Sequence, residues 1–187
     1  HAYSLYVRGS TFRRSLAIDE HRFENAAALA LDDLEQSRER YLRLAEEFGE
    51  CPYAGIAHTC QAGALEVAVA LGRRPHAEAL AECEAKLDEL AAREERENVV
   101  SDWLESYGWW CVYACNIALR HLDDLDELDR TMAVFTNKAE EIAQQLGSWT
   151  LRERVFTMEF ARRQRLSEER GDAIDWLFDH EDLRVIS

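Results

Sequence analysis

The sequence predicts an all-α fold, antiparallel helical hairpins stacked as a short α-solenoid, and three observations carry that prediction. Apolar residues recur at 3.6-type spacing, and no alternating strand pattern of useful length occurs. The only prolines, Pro52 and Pro75, fall where that periodicity breaks; with Gly49, Gly72, Gly147 and Gly171 they cut the chain into segments of roughly 20 to 30 residues. Similar stretches also return at a spacing near 48 residues.

The predicted helices span 18–48, 53–72, 76–96, 99–121, 124–146, 149–170 and a short 173–179. Pro52 and Pro75 mark helix starts, where a missing N–H costs nothing. Ser148 or Gly147 starts the sixth helix, and Asp172 caps the last. The opening HAYSLYVRGSTFRRSL stays open between a linker, a strand-like tail of a preceding domain and an early start of the first helix. Residues 1–17 are therefore assigned as a linker or tail. Residues 18–187 form a single helical-repeat domain, with hairpins at about 18–72, 76–121 and 124–170 and a capping segment at 172–187.

ALGRRPHAEAL at 70–80 and ALRHLDDLDEL at 118–128 share Ala-Leu at the start and Leu at the end, and SEERGDAIDWL follows at 167–177. LRLAEEFG at 42–49 and EEIAQQLG at 140–147 match Ala45 with Ala143, Phe48 with Leu146 and Gly49 with Gly147, two periods apart; the middle copy, DELAAREE at 88–95, is weaker. One hairpin is too thin to bury its own apolar faces, so neighbours must stack. Ala-rich hairpins, helices ending in AEEFG or AQQLG, and Gly-Asp before the next helix resemble the tetratricopeptide-like helical repeats over roughly residues 20 to 180. The period exceeds the roughly 34 residues of the standard repeat, and its full Trp, Leu-Gly and Tyr signature is missing. The resemblance implies a non-catalytic sensor or interaction module, most concretely the regulatory domain of a bacterial transcriptional regulator or signalling protein. The start at His1 rather than Met is read as a processed product or a piece of a longer polypeptide.

A net charge of −15 repels phosphate backbones, so no nucleic acid is expected on this segment. No apolar run reaches the roughly 18 residues that span a bilayer, and residues from His1 on lack the basic and apolar regions of a secretory signal; no membrane is expected. The odd count of five cysteines, mostly in helical patterns, favours a reducing cytoplasm over a disulfide framework.

The stretch ESYGWWCVYACNIALRH, residues 105–121, carries the densest chemistry. At 100° per residue its helix separates into three stripes. Leu104, Gly108, Cys111, Cys115, Ala118 and Leu122 form a small or aliphatic face suited to close helix approach. Trp103, Tyr107, Trp110, Ala114, Ile117 and His121 form an aromatic face expected to pack on the next hairpin. Asp102, Ser106, Trp109, Tyr113, Asn116 and Arg120 form an amphipathic third face. One period earlier its equivalents are Ala54, His58, Gln61, Leu65 and Ala68, in a helix whose only acid is Glu66. Ser106, Trp109, Tyr113, Asn116, Arg120, His58 and Gln61 are thus expected to line one inner groove for a peptide, protein or small-molecule ligand. The competing reading of the same aromatics is plain core.

No metal and no cofactor is expected. Cys111 and Cys115 share a face, but no second ligand pair stands at matching spacing, so buried free thiols are expected. DDLDE at 123–127 resembles a metal-diphosphate motif, and an alternative function is a Mg-dependent helical-bundle enzyme using Asp123, Asp124 and Glu127; acids opening a helix, with Asp123 as cap, explain the run more simply. A pure scaffold is the third reading. Arg152, Arg154, Arg162, Arg163 and Arg165 are expected to pair with acids of the neighbouring helix or to meet an acidic partner. Ile174, Trp176, Leu177 and Phe178 are read as an end cap or a homodimer surface.

Overall fold

A computed structural model describes residues 1–15, 24–49, 52–94 and 101–170. Among them are seven helices and no strand: α1 (Ala2–Ser15), α2 (Glu24–Phe48), α3 (Tyr53–Ala70), α4 (His76–Glu94), α5 (Ser101–His121), α6 (Leu125–Leu146) and α7 (Trp149–Arg170). The fold is all-α, and its stacking is compatible with a helical-repeat arrangement. No described helix is long and apolar enough to cross a membrane. The predicted helix at 173–179, the capping segment and Cys51 lie outside the described residues.

The helix ends follow the punctuation. α3 starts directly after Pro52 and α4 directly after Pro75. At the end of α6, Gly147 takes a left-handed φ of 62°, letting the amide of Ser148 bond the Ala143 carbonyl, and the Ser148 hydroxyl then accepts from Leu151 to open α7. α6 is capped by Asp124, not by the expected Asp123: the Asp124 carboxylate accepts the Glu127 amide at 2.8 Å.

The first segment departs from expectation. Residues 1–17 were read as a linker or tail, yet Ala2–Ser15 is helix α1, antiparallel to α2. Its attachment combines ion pairs with apolar packing: Arg8 forks onto Asp33 with two bonds of 2.6 Å, Arg13 reaches Glu66 of α3 at 2.7 Å, and Tyr6 and Phe12 pack on the α2–α3 core. Ser37 donates to the Ala2 carbonyl, and Leu5, Ala30 and Leu34 are buried nearby.

α2 packs on both α1 and α3, while α5 is the hub, touching α3, α4, α6 and α7. α3 and α5 run parallel, because Gly55 meets Asp102, His58 meets Ser106 and Glu66 meets Arg120 in rising order. The His58–Ser106 contact spans 48 positions, the spacing at which similar stretches return in the sequence. α4 touches α3 only slightly and leans on α5, which accounts for its weaker match to α2 and α6; each of those is held on both sides.

The small face of α5 does what its composition predicts. A Cβ at Gly108 would meet Leu151 of α7 and Ile142 of α6, and Cys111, Cys115 and Ala118 are fully or almost fully buried there. The aromatic face, expected against the next hairpin, packs instead toward the preceding α3 and α4: Trp103, Tyr107 and Trp110 surround His58, while Arg93 and Lys86 of α4 lie over Trp103 and Trp110. Of the α7 arginines, Arg152 and Arg162 pair with acids of the neighbouring α6, as expected, while Arg163 pairs within its own helix. Arg162 bonds Asp129 at 2.8 Å, Arg152 faces Glu140 at 3.5 Å, Arg163 bonds Glu159, and Arg165 donates to the Leu119 and Leu122 carbonyls at the end of α5.

The α3–α5 contact leaves no room for a side chain at Gly55, whose Cβ would stand 2.7 Å from the Asp102 carbonyl oxygen. Backbone cannot swing aside as a side chain can. Gly55→Ala is expected to cost about 1–3 kcal/mol, read as a fall of several °C in the thermal midpoint. An unchanged midpoint would mean that the two helices are not in close contact.

Candidate functional site

The seven groove residues do not share one groove. His58 and Ser106, 48 positions apart, face each other across the α3–α5 contact. His58 Nδ1 lies 2.9 Å from the Ser106 hydroxyl, which itself donates to the Trp103 carbonyl at 2.7 Å. With the hydroxyl proton committed there, Nδ1 carries the imidazole proton and donates to Ser106. Nε2 is then a buried acceptor without a hydrogen-bond partner among the described residues, ringed by Trp103, Tyr107 and Trp110 at 5.0–5.3 Å between centroids.

Burial, reinforced by the nearby Lys86 charge, pushes the His58 pKa down to about 4. An unfolded imidazole titrates near 6.5. Between those values the unfolded chain binds a proton that the folded chain refuses, so the stability this site contributes is present above about pH 6.5 and is lost as pH falls toward 4. His58→Asn keeps a donor for Ser106 but cannot titrate. Its denaturant stability should change less between pH 7 and 4.5 than that of the parent, by an amount on the order of 2 kcal/mol. Parallel pH profiles would show that His58 is not held neutral.

Tyr113 and Arg120 join a buried ionic network. Glu66, only 1% exposed, bonds Arg13 at 2.7 Å and faces Arg120 at 3.4 Å, and the Arg13 guanidinium lies 4.5 Å from the Tyr113 ring centroid. Burial disfavours the Arg13 charge; Glu66, by its charge and its hydrogen bond, favours it. Gln61 points elsewhere, donating to Glu82 of α4 at 3.2 Å, and Asn116 is half-buried on α5.

Trp109 remains at an accessible site. It stacks on Tyr113, at 6.0 Å and 28°, and lines a cleft of about 140 Å³. Tyr3 and Tyr6 of α1 form one wall, Ile56 and Thr59 of α3 the floor, and Asp102, Glu105, Ser106 and Trp109 of α5 the other wall. Burial raises the Tyr6 pKa, keeping its hydroxyl neutral. The sequence reading missed Tyr3, Tyr6 and Glu105. The tyrosines share a helical face at i, i+3, a signal that only a helical assignment of residues 1–17 would have exposed.

The described cysteines are buried and free, and burial pushes their thiols up, Cys60 to about 11 and Cys83 and Cys115 to about 12. Thiols held protonated are poor metal ligands. Among the described residues no group of three or more His, Cys, Asp or Glu could hold a metal ion. The Asp124 carboxylate of the DDLDE run is engaged in the α6 cap.

Compared with protein-family models, curated proteins and solved structures, the chain matches none of them. The geometry defines its class: an all-α multi-helix protein with a small aromatic cleft among three helices.

Proposed function

We propose that this chain is a non-catalytic interaction module, a tetratricopeptide-like α-solenoid that holds a peptide side chain or small ligand in the cleft between α1, α3 and α5. The observation that carries the reading is the cleft itself, where Trp109, Tyr3 and Tyr6 meet Asp102, Glu105 and Ser106 at the junction of three helices. Aromatic rings supply contact area at low entropic cost, and the polar groups supply orientation. At about 140 Å³ the cleft suits one side chain better than a drug-sized molecule. The stacking of the helices and the return of similar segments support the repeat reading.

The module serves as the regulatory domain of a transcriptional regulator or signalling protein. Ligand in the cleft contacts α1 and α5 at once, so occupancy favours the arrangement in which they are correctly spaced, and that bias passes to an attached output domain by population shift. No membrane and no nucleic acid enters this mechanism.

A thermal-shift panel of blocked basic, acidic and apolar hexapeptides tests the reading. At least one is expected to raise the midpoint of the parent chain but not that of Trp109→Ala, whose own stability falls by about 1 kcal/mol. Equal stabilisation of both proteins, or collapse of the variant, would remove Trp109 from a binding role.

A further inference from the structure

Resting on the reading of the cleft as a binding site, we infer that its ligand is cationic: a basic peptide segment that places an arginine side chain between Trp109 and the tyrosines of α1, with its guanidinium on Glu105. Three features select that chemistry. Every charged residue lining the cleft is an acid, Asp102 or Glu105, and the whole chain carries a charge of −15, which draws basic segments toward it. Three of the other lining residues, Tyr3, Tyr6 and Trp109, are aromatic, and a guanidinium both stacks on such rings and forks onto a carboxylate, where a neutral or acidic side chain gains neither.

The fold also uses this pairing repeatedly within itself. Arg93 lies 4.4 Å from the Trp103 centroid, Lys86 5.9 Å from that of Trp110, and Arg13 4.5 Å from that of Tyr113. Arg13 completes its contact by bonding Glu66, so it combines one aromatic ring with one carboxylate. Trp109 stacks on that same Tyr113 and extends the aromatic surface into the cleft, where exposed Glu105 offers the matching carboxylate. Arg13 with Tyr113 and Glu66 is thus an internal copy of the contact the ligand makes.

The test is an NMR titration of the full ¹⁵N-labelled chain with the blocked tripeptide Ac-Gly-Arg-Gly-NH₂ and with its citrulline counterpart, the neutral isostere of arginine. The arginine peptide is expected to shift the Trp109 indole and the Glu105 amide saturably, with citrulline about tenfold weaker. Glu105→Gln should erase most of that difference, and Glu84→Gln, an exposed acid on α4 away from the cleft, should leave it intact. Equal affinity for arginine and citrulline at the same resonances would overturn the cationic assignment while sparing the cleft as a site. Equal weakening by Glu84→Gln would overturn it in favour of diffuse charge attraction. If neither tripeptide, nor any hexapeptide of the panel, perturbed the cleft, the binding role itself would fall.

Discussion

Glu66→Ala is expected to cost about 3–5 kcal/mol, a fall in the thermal midpoint on the order of 10 °C for a chain of this size. Glu66 is the one acid of α3, 1% exposed, and it neutralises two arginines from different helices, Arg13 of α1 and Arg120 of α5. The net worth of such a network against an apolar replacement is modest, but removing its centre leaves buried charge without compensation. Arg13, with a side chain only 11% exposed, bears most of that penalty, and α1 loses its tie to α3. Hydrogen exchange should then show α1 losing protection before α5 and α6. Glu66→Gln, which keeps an acceptor but not the charge, should fall between the parent and the alanine variant. A midpoint shift below about 2 °C for Glu66→Ala would contradict the buried network.

Trp110→Ala is expected to be comparably severe, about 3–5 kcal/mol, whereas the adjacent Trp109→Ala costs about 1 kcal/mol. The two indoles differ by one position and about 100° on α5. That rotation turns Trp110 fully inward, beside His58 and under Lys86, with no exposed surface, and turns Trp109 toward the cleft. Truncating Trp110 removes the largest fully buried side chain and leaves a cavity among Tyr107, His58 and the core around α5. Urea unfolding of both variants separates the predictions directly. Equal losses would mean that both tryptophans are core.

Helices α2 to α7 were legible because of their helical apolar spacing and the Pro, Gly and acid-rich punctuation between them. The spacing near 48 is also the separation of His58 and Ser106, which meet across α3 and α5. α1 was not legible for a specific reason. Ala2–Ser15 is poor in aliphatic residues, and besides Leu5, Tyr6 and Phe12 it attaches through Arg8–Asp33 and Arg13–Glu66, contacts that leave no periodic trace because each partner lies on another helix.

The candidate groove was half legible for the same reason. The third face of α5 lacked an ordinary solvent-facing composition, and α1 supplies much of the explanation: Arg13 lies over Tyr113, while Tyr3 and Tyr6 stand across the cleft from Trp109. Treating His58 and Ser106 as neighbours lining one groove assumed that equivalent positions point the same way. In the structure these two point at each other, which withdraws His58 from the surface and leaves Trp109 with Ser106 at the site.

The central claim is that the cleft between α1, α3 and α5 is the binding surface, and the Trp109 indole N–H resonance reads it most directly. On titration with the peptide panel it is predicted to shift together with the amides of Tyr3, Tyr6 and Glu105 while the Trp110 indole stays fixed. Perturbations clustered on another face, with the Trp109 resonance unmoved by every member, would contradict it.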